Sequence, residues 1–241
     1  ALSSAASDVY KRQDVNNAFL SWTAVYMLKN GYPVDIRTIP SIIGGDEEKR
    51  SGIVLAKSPI AKKFGIITGE PIYFAKQKCN KLEVFQGDFE VFNKYSNDLY
   101  KIFLEYTDRI ERFSIDECFL DLTGFLQGRK LIDIAKEINS RVERELGFTV
   151  NVGISTNKLL AKMASDFEKP NKVHTLYEYE IEDKMWPLPV SELFMIGKKT
   201  VPKLNNLRIK TIGDLAKTDK EILLKRFGKH GLLMWNYANG I

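Results

Sequence analysis

The chain has 241 residues, of which 44% are hydrophobic and 28% charged, and its formal net charge is +5. Such a length allows one large domain or two to three small ones, and the composition excludes disordered and fibrous classes. The two cysteines, Cys79 and Cys118, form no disulfide or metal-binding pattern, so a reducing, cytoplasmic location is expected. No apolar run approaches the ~18–20 residues of a membrane span, so no membrane partner is expected.

The first thirteen residues, ALSSAASDVYKRQ, begin without Met and are too polar for the core of a signal peptide. We expect residues 1–13 to be a leader that is non-native or disordered. The next residues run from Asp14 into an apolar helical pattern that stops at Asn30-Gly31. Asp14 is therefore predicted at a strand-to-helix junction, where a side chain can project from the edge of a sheet.

The following stretch, up to residue 87, predicts a small mixed unit. Short strands are predicted at residues 41–43, 52–55, 70–72 and 82–85, with a short helix at 58–65. Within it, Gly44-Gly45-Asp46-Glu47-Glu48 resembles the GGDEF signature of cyclic-dinucleotide synthases. The Phe is missing, and we interpret the run as an ordinary hairpin turn.

Strong amphipathic periodicity predicts helices at residues 89–106 and 131–146, and an alternating strand at 148–155 leads into a third helix at 157–168. This order of elements predicts an α+β fold, an antiparallel sheet with helices on one face. From about residue 176 the pattern changes to short, lysine-rich helices. Residues 198–230 hold ten Lys or Arg against three acids.

The segment from Phe113 to Thr123 has the pattern of an apolar strand but carries two adjacent acids, Asp116 and Glu117, and then Asp121. Along an extended strand, adjacent side chains point to opposite faces. Both acids can serve one site only if the chain turns, so we predict a hairpin tip at residues 115–117. Carboxylates that converge there with Asp14 would suit Mg²⁺. The alternative is a surface turn with two solvated acids, and Asp121 is expected to have a structural partner.

Basic residues suggest two further sites. Lys158 and Lys162 share one face of the helix at 157–168, where they could neutralise a triphosphate or form a solvated face; the same alternatives apply to Lys62. The turn Ile196-Gly197-Lys198 between short helices is typical of a helix–hairpin–helix, which presents backbone N–H groups to nucleic-acid phosphates. A plain helix connection is the alternative.

Four motifs occur together in one order: Asp14-Val15-Asn16-Asn17-Ala18-Phe19, Ser114-Ile115-Asp116-Glu117, Gly153-Ile154-Ser155-Thr156-Asn157-Lys158 with Lys162-Met163-Ala164-Ser165, and Lys169-Pro170-Asn171. Residues 14–241 thereby resemble Y-family translesion DNA polymerases of the bacterial DNA polymerase IV and UmuC group. The resemblance implies a palm (14–17 and 88–175), inserted fingers (18–87) and an all-α helix–hairpin–helix thumb (176–241). It also implies that the family's C-terminal little-finger domain is absent.

The resemblance further implies the residues of the site. Asp14, Asp116 and Glu117 would bind two Mg²⁺ ions, and Phe19 would be the steric gate that rejects ribonucleotides. The remaining nucleotide-binding positions are Asn17, Ser58, Lys62 and Lys162. The thumb positions that would bind DNA are Gly197, Lys198, Lys199 and Lys203. Two departures from the family are the polar residues before Asp14 and Met195, which stands where the thumb hairpin usually has its first Gly.

The implied function is DNA-directed DNA polymerase, with low fidelity and lesion bypass in DNA repair. The implied partners are primer–template DNA, a deoxynucleoside triphosphate and a sliding clamp. Two alternatives stay open on the residues alone. One is a non-catalytic module that binds damaged DNA, and the other is a cyclic-dinucleotide synthase.

Overall fold

The computed structural model describes residues 10–45 and 52–241 of the chain. The strands are β1 (Tyr10–Val15), β2 (Ser41–Gly44), β3 (Val54–Lys57), β4 (Glu83–Gln86), β5 (Ile110–Arg112), β6 (Glu117–Asp121), β7 (Val150–Ser155) and β8 (Val173–Thr175). The helices are α1 (Ala18–Lys29), α2 (Pro59–Lys63), α3 (Ile72–Lys78), α4 (Phe89–Leu104), α5 (Leu131–Leu146), α6 (Lys158–Asp166), α7 (Val201–Asn206), α8 (Ile212–Lys217), α9 (Lys220–Phe227) and α10 (Lys229–Ala238).

The larger sheet has five strands in the order β5-β6-β1-β7-β8. Its pairs are antiparallel except β7 with β8, which run parallel. Strand β1 lies in the centre, between β6 and β7. The α+β class with a largely antiparallel sheet is therefore confirmed.

The position of β1 corrects the predicted leader, because residues 10–13 are paired on both sides rather than disordered. Lys11, Arg12 and Gln13 are completely or almost completely buried there. The sequence pattern could not predict this strand, since a buried central strand normally has apolar side chains. Residues 1–9 of the predicted leader lie outside the described residues.

Helices α1, α4 and α5 cover one face of this sheet and form its main hydrophobic core. The periodicity predicted both long helices correctly, and α5 ends at Gly147, whose φ of 82° is the left-handed conformation of a glycine cap. Helix α1 belongs to this core through α4 and also packs against β2 and β3 of the small unit.

Helix α6 lies on the other face of the sheet, which the prediction of helices on one face did not include. It approaches β7 so closely at Gly153 that an added Cβ would lie 1.9 Å from the Ala161 carbonyl oxygen. Only glycine permits this contact without displacement of the helix. The other side of α6 packs into a second core with the C-terminal helices.

The small unit has the sheet order β3-β2-β4, with β2 antiparallel to β3 and parallel to β4. The strand predicted at residues 70–72 is reduced to an isolated antiparallel bridge between Pro71 and Ile53, and Pro71 also occupies the cap position of helix α3. Proline lacks an N–H but suits the start of a helix. The antiparallel pairing of β2 with β3 agrees with the predicted hairpin; residues 46–51 of its turn, and so most of the GGDEF-like run, lie outside the described residues.

Residues 176–241, all described, contain helices and turns but no strand. Four short α-helices, α7–α10, follow a π-helical turn at Ile181–Met185. Within the described ranges, no helix is both long and apolar enough to cross a membrane.

Candidate active site

The structure brings the three predicted carboxylates to one end of the neighbouring strands β1 and β6 in the large sheet. Asp14 in β1 lies directly opposite Glu117, the first residue of β6. Directly opposite residues of an antiparallel pair have Cα atoms about 4.5–5.5 Å apart. Asp116 is held beside them, because its carbonyl oxygen accepts a hydrogen bond of 3.1 Å from the Val15 N–H.

The predicted hairpin tip is present between β5 and β6. The Phe113 and Ser114 N–H groups both donate to the Glu117 carbonyl oxygen, at 2.9 and 3.2 Å, which closes the turn over residues 113–116. The Ser114 hydroxyl also donates to the Asp116 carboxylate at 2.6 Å. Asp121, one strand length away, instead accepts from the Thr123 N–H and pairs with Arg109 at 3.4 Å. This is the structural partner that the sequence analysis expected.

Each strand acid of the site faces a basic side chain. Asp14 pairs with Lys169, and Glu117 pairs with the buried Arg12. The Lys162 amino group lies 3.7 Å from Glu117 and 2.8 Å from Asp166. Lys169 also reaches Asp166, at 2.9 Å. The site is therefore a compact network in which acids and bases nearly balance.

The charge network shifts the pKa values of two of its members. Burial acts to lower the pKa of Lys169, but its contacts with Asp14 and Asp166 outweigh burial and raise that pKa. Burial likewise acts to raise the pKa of Asp166, yet Lys162 and Lys169 hold it below its usual value. Both groups therefore stay ionised near neutral pH.

The donor chemistry of the site fits a hard divalent cation, because Mg²⁺ prefers carboxylate oxygens. Among the described residues, however, no three acidic, His or Cys side chains converge as a metal site. Asp14 and Glu117 instead form ion pairs with Lys169 and Arg12. A metal would take these carboxylates from their basic partners.

The predicted nucleotide-binding residues differ in what they contact. Asn17 has a left-handed φ of 51°, and its side-chain amide donates to the Lys57 carbonyl oxygen at 2.7 Å. This contact joins the small unit to the chain three residues after Asp14. Phe19 packs on Phe92, with 4.6 Å between ring centroids, so its ring position is fixed by the core.

Ser58 and Lys62, at the two ends of α2, have opposite exposure. The Ser58 hydroxyl is buried, donates to the Ile39 carbonyl oxygen at 2.7 Å and accepts from the Ala61 N–H at 3.0 Å. It therefore caps α2, and the role of Ser58 beside a nucleotide stays a prediction. Lys62 is exposed, and its charge contributes to lowering the pKa of Lys57, after burial.

The predicted DNA-binding residues Gly197, Lys198, Lys199 and Lys203 are exposed on the turn before α7 and on α7 itself. Met195 precedes them with a φ of 70°, a left-handed conformation that glycine adopts without strain. The predicted departure at Met195 thus falls on a position where the backbone favours glycine.

A cleft of about 170 Å³ lies between the carboxylate hairpin, α6 and the C-terminal helices. Its aromatic lining consists of Phe113, Phe119, Phe194 and Tyr237. Lys158 and Lys162 also line it, and the Lys162 amino group lies 6.0 Å from the centre of the Phe194 ring. The cleft therefore adjoins Glu117 through Lys162.

Sequence reasoning assigned no site role to Lys169, Arg12 or Asp166. Lys169 belongs to the motif Lys169-Pro170-Asn171, and this motif could have indicated that Lys169 lies in the site. No local pattern could place Arg12 beside Glu117, since the two residues meet only through the pairing of β1 with β6.

Comparisons with known proteins identify the family of the chain. The model of the impB/mucB/samB family matches residues 13–166. The chain is 57% identical over 235 residues to a DNA polymerase IV of Clostridium acetobutylicum and 38% identical over 228 residues to DNA polymerase IV 1 of Bacillus subtilis. These matches cover 98% and 95% of this chain but 59% and 54% of the relatives, so the chain spans little more than half of their length.

Solved structures show the same fold. The crystal structure of DinB from Sulfolobus solfataricus matches with a TM-score of 0.85 at 26% identity, over 96% of this chain and 67% of that one. An insertion ternary complex of Dbh DNA polymerase matches with a TM-score of 0.84 at 25% identity and the same coverage.

Proposed function

The chain belongs to the impB/mucB/samB family of Y-family DNA polymerases, and from that membership we propose that it is a template-directed DNA polymerase. It adds deoxynucleotides to a primer 3′ end, with low fidelity and across damaged templates, in the cytoplasm. In this proposal the five-stranded sheet with α4–α6 is the palm, and residues 18–87, with the small sheet and α1–α3, are the fingers. Residues 176–241, with α7–α10, form the thumb.

The observation that carries the proposal is the meeting of Asp14 with Glu117 across β1 and β6, with Asp116 at the adjoining hairpin tip. Asp14, Asp116 and Glu117 would hold two Mg²⁺ ions, which supply activation of the primer hydroxyl and neutralisation of the leaving pyrophosphate. Metal binding would replace the ion pairs that Asp14 and Glu117 make with Lys169 and Lys162.

The incoming nucleotide is proposed to lie between this edge and the fingers. Lys162 and Lys62 offset the triphosphate charge, and Asn17 fixes the fingers strand beside the site through Lys57. Phe19 acts as the gate against the ribose 2′-hydroxyl. Its packing on Phe92 supports that role, because a ring that cannot move aside excludes the hydroxyl by steric overlap.

Primer–template DNA is proposed to lie along the palm and thumb. The exposed thumb residues Gly197, Lys198, Lys199 and Lys203 contact its phosphates. The aromatic cleft lies between the hairpin and the C-terminal helices, and Lys162, which neighbours Glu117, lines it. The Dbh structure described as an insertion ternary complex supports DNA and nucleotide as partners. The family resemblance adds a sliding clamp.

The test is primer extension with Mg²⁺ by the Asp116→Ala variant. We expect extension to fall to background, because the hairpin then loses a carboxylate aimed at the reacting groups. Asp108→Asn is the matched control, since Asp108 is an exposed acid at the far end of β5. Extension by Asp116→Ala at the control rate would exclude the proposed site.

The same experiment separates the alternatives. Binding of primed DNA without extension in the unaltered protein would identify a non-catalytic DNA-binding module. A product formed from GTP without primer and template would identify a cyclic-dinucleotide synthase.

A further inference from the structure

Four large apolar side chains are exposed on the outer face of the small unit. Phe64 is 48% exposed, Ile67 56%, Tyr73 64% and Phe74 51%. The inner faces of α2 and α3 are buried in a small core, and these four side chains lie outside it. We call Phe64, Ile67, Tyr73 and Phe74 the α2–α3 surface.

Hydrogen bonds join the two helices beneath the α2–α3 surface. The Lys78 amino group donates to the Gly65 carbonyl oxygen at 3.0 Å, which joins the end of α3 to the end of α2. Lys78 also pairs with Glu70, whose carboxylate accepts from the Ile67 N–H at 2.8 Å.

Within α3, the aromatic residues lie next to this junction. Phe74 precedes Lys78 by one helical turn, so both side chains lie on one face. The Tyr73 and Phe74 rings are 5.6 Å apart in an edge-to-face arrangement. Phe74 therefore shares a face of α3 with Lys78, which contacts the end of α2 at Gly65.

The charge of this region is strongly positive. Residues 57–81 contain six lysines and one glutamate, an excess of five positive charges. Lys63 and Lys81 are exposed at the ends of α2 and after α3. An exposed aromatic patch with surrounding lysines matches the chemistry of single-stranded nucleic acid, whose bases stack on aromatic rings while lysines meet the backbone.

The α2–α3 surface also lies near the site. Asn17 contacts the Lys57 carbonyl oxygen, and α2 begins two residues later. At ~1.5 Å per residue, Phe64 lies only ~10 Å along the helix from its cap at Ser58.

We propose that the α2–α3 surface binds the unpaired template strand ahead of the site, by stacking of its bases on Phe64, Tyr73 and Phe74. This inference rests on the proposed polymerase function for the identity of the strand. The stacking surface itself requires no catalysis.

The test compares two DNA molecules without Mg²⁺ by fluorescence anisotropy: a primed duplex with an oligothymidine 5′ template overhang and the same duplex with a blunt end. The variant is Phe64→Ala/Tyr73→Ala/Phe74→Ala, and Phe125→Ala, an exposed aromatic outside the surface, is the control. We expect the variant to lose about tenfold or more in affinity for the overhang DNA and nothing for the blunt DNA. A charge variant, Lys63→Glu/Lys81→Glu, should show the same selective loss.

Equal losses on both DNA molecules, or none on either, would overturn the proposal. Self-association that the triple variant abolishes, with overhang affinity unchanged, would also overturn it and identify a protein-docking surface. Because the Asp116→Ala variant should keep the overhang preference, failure of the catalytic proposal and failure of this one are distinguishable.

Discussion

Glu117, a proposed metal ligand, forms an ion pair with Arg12, a cation that a metal site does not need. The buried Arg12 pairs with Glu117 and also donates to the Ser165 hydroxyl, while its Nε has no hydrogen-bond partner among the described residues. A fixed positive charge close to a metal ligand opposes metal binding, and at ~4 Å with an effective dielectric constant of about 20 the energy is ~4 kcal/mol. Arg12 therefore competes with a metal for Glu117.

We predict that Arg12→Leu raises the affinity for Mn²⁺ by about tenfold or more, because removal of the guanidinium frees Glu117. Titration of Mn²⁺ followed by electron paramagnetic resonance measures this without turnover. Arg12→Lys keeps the charge and should leave the affinity low. An unchanged affinity in Arg12→Leu would show that Glu117 is not a metal ligand or that Arg12 does not restrain it.

Lys11 gives the stability a pH dependence. Burial lowers its pKa well below the usual 10.5, and the charge of Glu137 offsets this only in part. The unfolded chain then binds a proton that the folded chain has released, so the free energy of unfolding rises with pH between the lowered pKa and 10.5.

We predict that Lys11→Met removes this slope, of about 1.4 kcal/mol per pH unit at most. Urea unfolding from about pH 7 to about pH 9.5 measures it, with the difference between the two proteins as the readout. The variant should be the more stable protein at the acidic end of that range. Parallel curves would show that Lys11 titrates alike in the folded and unfolded chains.

Phe19 is tested at the same scale. Its ring is fixed by Phe92 and Trp22, with centroids 4.6 and 6.2 Å away, so truncation opens space next to the site rather than allowing the ring to relax. We predict that Phe19→Ala increases incorporation of ribonucleotides relative to deoxynucleotides by about tenfold or more. Phe89→Ala, whose ring touches Phe19 from the exposed side, is the control. Unchanged sugar selectivity in Phe19→Ala would remove it from the gate.

At the scale of elements, the sequence pattern predicted the helices and turns that interactions between near neighbours in the chain determine. The amphipathic period identified α4 and α5, and the adjacent acids Asp116 and Glu117 required a turn that the structure contains. Strand β1 was missed because its burial comes from its neighbours β6 and β7, against the polarity of its own residues. The ion pairs of Asp14 and Glu117 were likewise beyond reach, since each joins residues about a hundred or more positions apart.

The contact between α6 and β7 stabilises the fold and also positions residues of the site. Gly153 lets α6 approach, and α6 in turn positions Lys162 and Asp166. We predict that Gly153→Ala lowers the free energy of unfolding by about 2–3 kcal/mol, since the new Cβ collides with backbone that cannot rotate away. Urea unfolding measures the loss. Gly197→Ala, where an added Cβ meets nothing within 4 Å, should change stability little; equal effects would show that α6 shifts without cost.

At the scale of the whole molecule, two hydrophobic cores meet at α6. One face of the helix contacts the large sheet, and Leu160, Met163 and Ala164 belong to the core of the C-terminal helices. The carboxylate edge and the basic C-terminal region are thus joined by one helix. DNA bound by the C-terminal region, as proposed, would therefore be aligned with the carboxylates. The excess of lysine and arginine in residues 198–230 predicts electrostatic attraction to the phosphates of DNA.

Affinity for primed DNA should therefore fall steeply with salt, because each neutralised phosphate releases counterions. We predict that Lys198→Gln/Lys199→Gln lowers the magnitude of the slope of log K against log[salt] by about two, one unit for each lost phosphate contact. Lys130→Gln/Lys136→Gln removes the same charge from the exposed side of α5 and its preceding residue, and should leave the slope unchanged. Equal slopes in both variants would mean that net charge alone attracts DNA, whereas a selective loss would place the phosphates at the turn before α7.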